Sequence, residues 1–373
     1  MAKPRRKPTP KRSTAKPSAP VRPRRLWLNV AALVATVGTL IALAVLSGAP
    51  TDPKPSLVTP RPVASTPPPS PIVHRTDALT PKTLAELLAL PPDQLERVDI
   101  GLMNLLCATG LPGSEGLDLA AALVKLDGWA LQVKYETDRH MYRLTDPRYA
   151  DYYRRSETYF RASWLLQTLQ EECGVKYNHD RIFTPDFKDS RDQFIHGLMD
   201  PDQGGTCASM PVLYAAVGRR LGYPIKLVQA RGHLFCRWDD GKGETLNIEG
   251  SGEGFSAYPD DFYRKWPYPL SEADLANREY LVSLTPAEEL AVFMAARGHC
   301  YTDLRRFPEA VSAYKEMARL ATTFKVHGNF LTGAQLATDR GLAEYERVYG
   351  KMPERMDPPP PTLENANTAG GDP

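Results

Sequence analysis

Cys207 stands directly after Gly204-Gly205-Thr206, at the start of a run over residues 206–221 that is helical in composition. A thiol at the first turn of a helix feels the positive end of the helix dipole, which lowers its pKa and favours the nucleophilic thiolate. The small residues before it leave room for substrate, and the Cys207 amide is placed to face a developing oxyanion. Gly232-His233 follows twenty-six residues later at the start of a strand, where the imidazole can act as base. Fourteen and sixteen residues further on, Asn247 and Glu249 fall on the neighbouring strand. Being two apart they share a face, so periodicity leaves both open as the group that orients His233. Nucleophile, base and orienter in this order are the parts of an acyl-transfer site. Gln203, four residues before Cys207, is a further candidate to donate to the oxyanion. His233 and Cys236 are three apart on one strand and face opposite sides, which argues against zinc. His140, His179, His299 and His327 have no partner at ligand spacing, so no metal or organic cofactor is expected, and His196 is expected to pack or to cap a helix end.

The elements that must hold these groups are helical, then mixed, then helical. Pro211 belongs in a first turn, so the helix over 206–221 has to begin near Cys207, and Gly222-Tyr223-Pro224 stops it. Residues 225–230, 234–238 and 245–248 have strand composition, with Asp240-Gly241-Lys242-Gly243 as the turn between the last two. A helix followed by antiparallel strands predicts an α+β fold. Upstream, Thr80-Pro81 has the pattern of a capped helix start, and Asp93 opens a second helix that Gly110-Leu111-Pro112-Gly113 ends. Helices are predicted over about 117–144, with Leu119, Leu123, Leu126, Trp129, Ala130 and Val133 on one stripe, and over about 149–173. Downstream, Gly298, Tyr301, Ala310 and Tyr314 have the offsets of one tetratricopeptide repeat, two antiparallel helices whose small residues let the backbones approach. A single repeat does not make a solenoid, so this hairpin is expected to pack on the domain before it.

The stretch GGTCASMPVLYAAVGRRLGYPIKLVQARGHLFCRW, with ETLNIEGS after it, resembles the transglutaminase-like superfamily, which shares a papain-type core. The resemblance implies Cys207 as nucleophile, His233 as base and Glu249 as the acid, at a position where the family usually carries Asp before a Pro-Thr pair. Ala208-Ser209-Met210 replaces the aromatic or Asp common after the nucleophile in active relatives. The wider run from Ile100-Gly101-Leu102 through Arg278, with its tetratricopeptide-type end, is similar to a bacterial branch with an all-helical N-terminal part. Some members of that branch lack the nucleophile; here Cys207 is present. The implied function is thiol-dependent acyl transfer on a peptide or amide carbonyl: with water the outcome is a protease or amidase, with an amine it is cross-linking. The competing readings are a non-catalytic module that binds a peptide or protein at the membrane, and a structural tether that needs only anchor and stalk.

Charge and proline are distributed unevenly along the 373 residues. Residues 1–25 hold ten Lys/Arg and no acid, so the formal +2 averages a +10 tail with a remainder near −8, which excludes a uniformly basic nucleic-acid binder. Residues 26–47 are uncharged, and at 1.5 Å per residue they span roughly 33 Å, enough for a bilayer core. Basic residues before this stretch and almost none after it predict a single-pass signal anchor in the cell (inner) membrane, with a cytoplasmic N-terminus and an extracytoplasmic or periplasmic body. The rival, a cleaved signal peptide, would put Pro50 directly after the cut at Ser47-Gly48-Ala49. Nine of the 35 prolines fall in residues 48–75, an extended stalk, and six in the tail 351–373, read as disordered. The body divides into a transglutaminase-like domain with its helical N-terminal part over 76–284 and a tetratricopeptide-like segment over 285–350. Five cysteines allow up to two disulfides beside a free Cys207, although small buried hydrophobes suit most of the other four. The oligomeric state is not legible.

Overall fold

Side-chain caps fix where the N-terminal helices begin. The computed structural model describes residue 72 and residues 76–350 except 182–184, 253, 325 and 326. The expected tail 1–25, anchor 26–47, stalk (save Ile72) and tail 351–373 lie outside the described residues; among those described, no helix is long and apolar enough to cross a membrane. Helix α1 (Leu84–Leu88) is capped by Thr83, whose Oγ1 accepts the Glu86 N–H at 3.1 Å, so the cap expected at Thr80 sits three residues later. The segment opening at Asp93 is a 3₁₀ turn, Pro92–Arg97, and the helix proper, α2 (Ile100–Ala108), is capped by Asp99. All nine residues of α2 are buried, which makes it the central rod of the helical part.

Helix α3 (Leu119–His140), capped by Asp118, buries Leu126, Trp129, Ala130 and Val133 of the expected stripe. Helix α4 (Glu157–Gln167) is shorter than its composition suggested. Arg154 and Arg155 adopt left-handed φ of 54° and 52°, which breaks the chain before the Ser156 cap. After α4 come α5 (Met210–Arg220) and three strands, β1 (Ile225–Ala230), β2 (His233–Asp239) and β3 (Thr245–Ile248). The sheet is antiparallel in the order β1-β2-β3; Ala230 opposes His233 and Cys236 opposes Ile248. Side chains alternate between its faces. Leu234, Cys236 and Trp238 join the main core with α5, while Phe235 packs with Val228, Tyr263, Tyr280 and Leu281 in a second cluster. Helix layers against a small antiparallel sheet make the architecture α+β.

Short helices α6 (Asp260–Tyr263) and α7 (Glu272–Ala276) cover the second face, and α8 (Pro286–Asp303), α9 (Phe307–Leu320), α10 (His327–Arg340) and α11 (Leu342–Tyr349) complete the described chain. Helix α8 starts at a capping box of Thr285 and Glu288. It does not stand apart from what precedes it: Leu290 and Met294 belong to the same buried cluster as Leu105 of α2 and Leu227 of β1. The Glu289 carboxylate, fully buried, accepts from Arg219 Nη1 of α5 at 2.9 Å, and Arg297 donates to the Cys107 carbonyl at 2.7 Å.

Candidate active site

The turn carrying Cys207 is built by reciprocal hydrogen bonds. Ala208 N–H donates to Thr206 Oγ1 at 3.2 Å, and Thr206 N–H donates to Ser209 Oγ at 3.0 Å. Met210 N–H reaches back to the Thr206 carbonyl at 3.0 Å, so the chain is already helical in pattern from Thr206 although regular α5 begins at Met210. Thr206 therefore acts as the cap and Cys207 occupies the first turn, where a backbone N–H has no carbonyl four residues back to bond. Pro211 falls in the same first turn and needs no N–H partner. The Thr206 hydroxyl also donates to the Asp192 carbonyl at 2.6 Å, which ties the turn to the 3₁₀ segment Ser190–Asp192. A Cβ at Gly205 would lie 2.4 Å from Cδ2 of the buried Leu198, so any larger residue there forces that side chain to move. Cys207 itself is half-buried.

His233 opens β2 with its side chain fully buried, and its Nε2 donates to Glu249 Oε2 at 2.7 Å. Strand register explains the meeting. Arg237 opposes Asn247, so Glu249, one step past β3, continues the face that carries Arg237, Phe235 and His233, and reaches His233 diagonally. The carboxylate is held at both oxygens. Oε1 accepts from Gly250 N–H (3.1 Å), Ser251 N–H (2.9 Å) and Ser251 Oγ (2.6 Å), and Oε2 accepts from Tyr263 O–H at 3.0 Å as well as from His233. Burial alone would raise Glu249, but the His233 charge and these donors bring it below the usual carboxylate range. For His233, burial pushes the imidazole down, yet Glu249 and the Cys207 thiol outweigh it and lift it to about 10. The opposite ring nitrogen, Nδ1, is buried with no hydrogen-bond partner among the described residues, and the Cys207 thiol is the other titratable group that raises the ring. Trp266 packs edge-on against His233, ring centroids 4.7 Å apart, and shields the pair from water.

Of the two orienting candidates, Glu249 is the one on His233. Asn247 is spent elsewhere: its Oδ1 accepts from Arg237 Nε at 2.7 Å and its Nδ2 donates to the Tyr258 carbonyl and to Asp260. Gln203 Nε2 donates one of its two protons to Oδ1 of the buried Asp192 at 2.6 Å, which fixes the amide and leaves its second N–H as the remaining donor. Cys236 faces away from His233 and donates to the Pro211 carbonyl at 2.9 Å. All five cysteines are free thiols. His196 is buried, with Nε2 3.2 Å from both Ser190 Oγ and the Gly113 carbonyl.

Sequence reasoning missed three groups. Ser251 had a usable signal, a hydroxyl two residues past the acid in a Glu-Gly-Ser turn. Tyr263 had none, because it arrives from a separate short helix. Tyr177 had none either. It forms an isolated parallel bridge with Gly205, two residues before Cys207, and its ring is buried.

A buried imidazole held by a carboxylate, a thiol in the first turn of a helix and a three-stranded antiparallel sheet together give the parts of a Cys-His-acid site in an α+β domain. A family model described as the transglutaminase-like superfamily matches residues 120–291, a span from the start of α3 into α8 that contains Cys207, His233 and Glu249. The chain therefore carries a transglutaminase-like superfamily domain over those residues. Among curated proteins and among solved structures there is no match to the chain.

Proposed function

We propose that this chain is a thiol-dependent acyl-transfer enzyme acting on peptide or amide bonds, held at a membrane by residues 26–47 with the domain on the extracytoplasmic side. The observation that carries the chemistry is the 2.7 Å contact from His233 Nε2 to the fully engaged Glu249 carboxylate, which leaves Nδ1 for Cys207. Glu249 keeps His233 protonated, so the ring is an imidazolium that can hand a proton to the leaving amine. The Cys207 sulfur attacks the amide carbonyl carbon, and the carbonyl π pair moves to oxygen. Collapse expels the amine, which takes its proton from His233, and leaves a thioester on Cys207. Water or a second amine then attacks the thioester, His233 accepts the proton from the attacking group, and the thiolate departs. Glu249 stays ionised throughout and holds the ring in place.

The test is direct acylation of the full chain with p-nitrophenyl acetate, followed by peptide mapping. The proposal expects a stoichiometric acetyl thioester at Cys207 that forms in the native chain and is lost in His233→Ala. Acetyl spread over lysines, with none at Cys207, contradicts it. For the membrane reading, the full chain should sediment with membranes and resist extraction by high salt or carbonate; a chain whose N-terminus begins near Pro50 contradicts the anchor.

A further inference from the structure

We propose that the outer face of α3 is a docking surface for a second copy of this chain, which lays its own α3 antiparallel across it. The proposal stands apart from the acyl-transfer reading.

Helix α3 carries two apolar faces. The inner one, with Leu126, Trp129 and Val133, is buried in the main core. A helix with one side on a core ordinarily turns a polar side to water. The outer side of α3 instead presents Val124, 70% exposed, Leu131, 49% exposed, and Tyr135, 56% exposed. Together with the exposed Ala121 and Gly128 these positions are spaced three, four, three and four apart, the spacing of a seam between paired helices. Gly128 is an independent observation. Glycine in the interior of a 22-residue helix costs stability. In α2, α5 and α8 close neighbours account for it, since a Cβ at Gly101, Gly218 or Gly298 would come within 2.7 Å of Leu126, Ile225 or Tyr314. A Cβ at Gly128 would meet nothing within 4 Å, so nothing among the described residues requires glycine there. The close approach of a second backbone would.

The seam is complementary to itself, which favours a second copy over an unrelated helix. With two α3 helices antiparallel about a two-fold axis between residues 129 and 130, Val124 meets the partner's Tyr135 and Gly128 meets the partner's Leu131, each twice. Asp138, the polar member of the spacing, then falls at the end of the seam opposite the partner's Ala121. The same register sets Asp127 beside the partner's Lys134 on one flank and Asp118 beside the partner's Arg139 on the other. Both pairs are of opposite charge, and Lys125 falls beside the neutral amide of the partner's Gln132. A parallel pair would instead bring Lys134 against the partner's Arg139, which disfavours it.

The test uses the full chain in a nonionic detergent, with mass read by light scattering at micromolar concentration. Wild type is expected to be a dimer. Leu131→Glu places two carboxylates close together across the axis and is expected to raise the dissociation constant at least about 10²-fold. Its circular dichroism spectrum should be unchanged, because the side chain is exposed in a single copy. Register is read by disulfide formation in a Cys207→Ser background. A mixture of Val124→Cys and Tyr135→Cys chains is expected to crosslink, whereas either alone is not, because the two copies of each residue lie about 16 Å apart along the axis. A monomeric wild type overturns the proposal. So does a dimer that survives Leu131→Glu, or a single cysteine variant that crosslinks as fast as the mixture.

Discussion

At His233 burial disfavours the imidazolium while Glu249 and Cys207 favour it, and the partners win, to about 10. Glu249→Gln removes the largest favourable charge while keeping the shape. The His233 titration, followed by imidazole proton NMR, is then expected to drop well below that of the wild type, with acylation at Cys207 falling at least 10²-fold. The pair also makes stability depend on pH in a determined direction. His233 is raised from 6.5, so its contribution is full below 6.5 and disappears as pH rises through about 10. Glu249 is lowered from 4.5, so its contribution is full above 4.5 and is lost as pH falls through its lowered value. The destabilisation caused by Glu249→Gln, on the order of 3 kcal/mol, is therefore expected to be greatest near pH 5.5 and to shrink toward pH 10 in denaturant melts. A flat difference across that range would contradict it. The placement of Cys207, His233 and Glu249 was legible because each has a distinctive side chain at a predictable place on a helix start or a strand. The choice between Asn247 and Glu249 was not, because both lie on one face and only the diagonal register tells them apart.

Among the elements, the Thr206–Ser209 turn transmits position to chemistry. Thr206→Val keeps the volume but removes the hydroxyl that caps Ala208 N–H and tethers the turn to the Asp192 carbonyl. Stability is expected to fall by about 1 kcal/mol, and acylation of Cys207 by about tenfold or more, a larger loss than unfolding alone explains. At the α8–α9 contact two effects compete at Gly298. Alanine there would add about 1 kcal/mol of helix propensity, but its Cβ would come 2.3 Å from the Tyr314 ring. The ring is fully buried and has no room to retreat, so the overlap should win and Gly298→Ala should destabilise by about 1 kcal/mol or more, read from the denaturant midpoint. The small-residue and aromatic pattern of this hairpin was visible in the sequence because close packing restricts residue type. The division of the 149–173 segment was not, because the left-handed backbone at Arg154 and Arg155 falls on residues with no intrinsic preference for it.

For the molecule as a whole, the core disregards the boundary drawn at residue 284. Helix α8 places Leu290, Met294 and the buried Glu289 against α2, β1 and α5. A fragment of residues 76–284 would leave Arg219 without its buried partner and expose that apolar face, and is expected not to fold, whereas 76–350 should unfold in one cooperative transition. The boundary escaped sequence reading because composition marks where helices change, not which core they fill. The account rests on an activated thiol, and the full chain allows that to be measured against its own internal standards. Burial raises Cys107 to about 12 and Cys173 to about 11, and pushes Cys236 and Cys300 higher still, so four thiols should stay slow. Site-resolved iodoacetamide labelling at pH 7 is predicted to modify Cys207 at least 10²-fold faster than the other four, with His233→Ala removing that advantage. Labelling of Cys207 no faster than Cys173, or a Cys207 rate that His233→Ala leaves unchanged, would contradict the account.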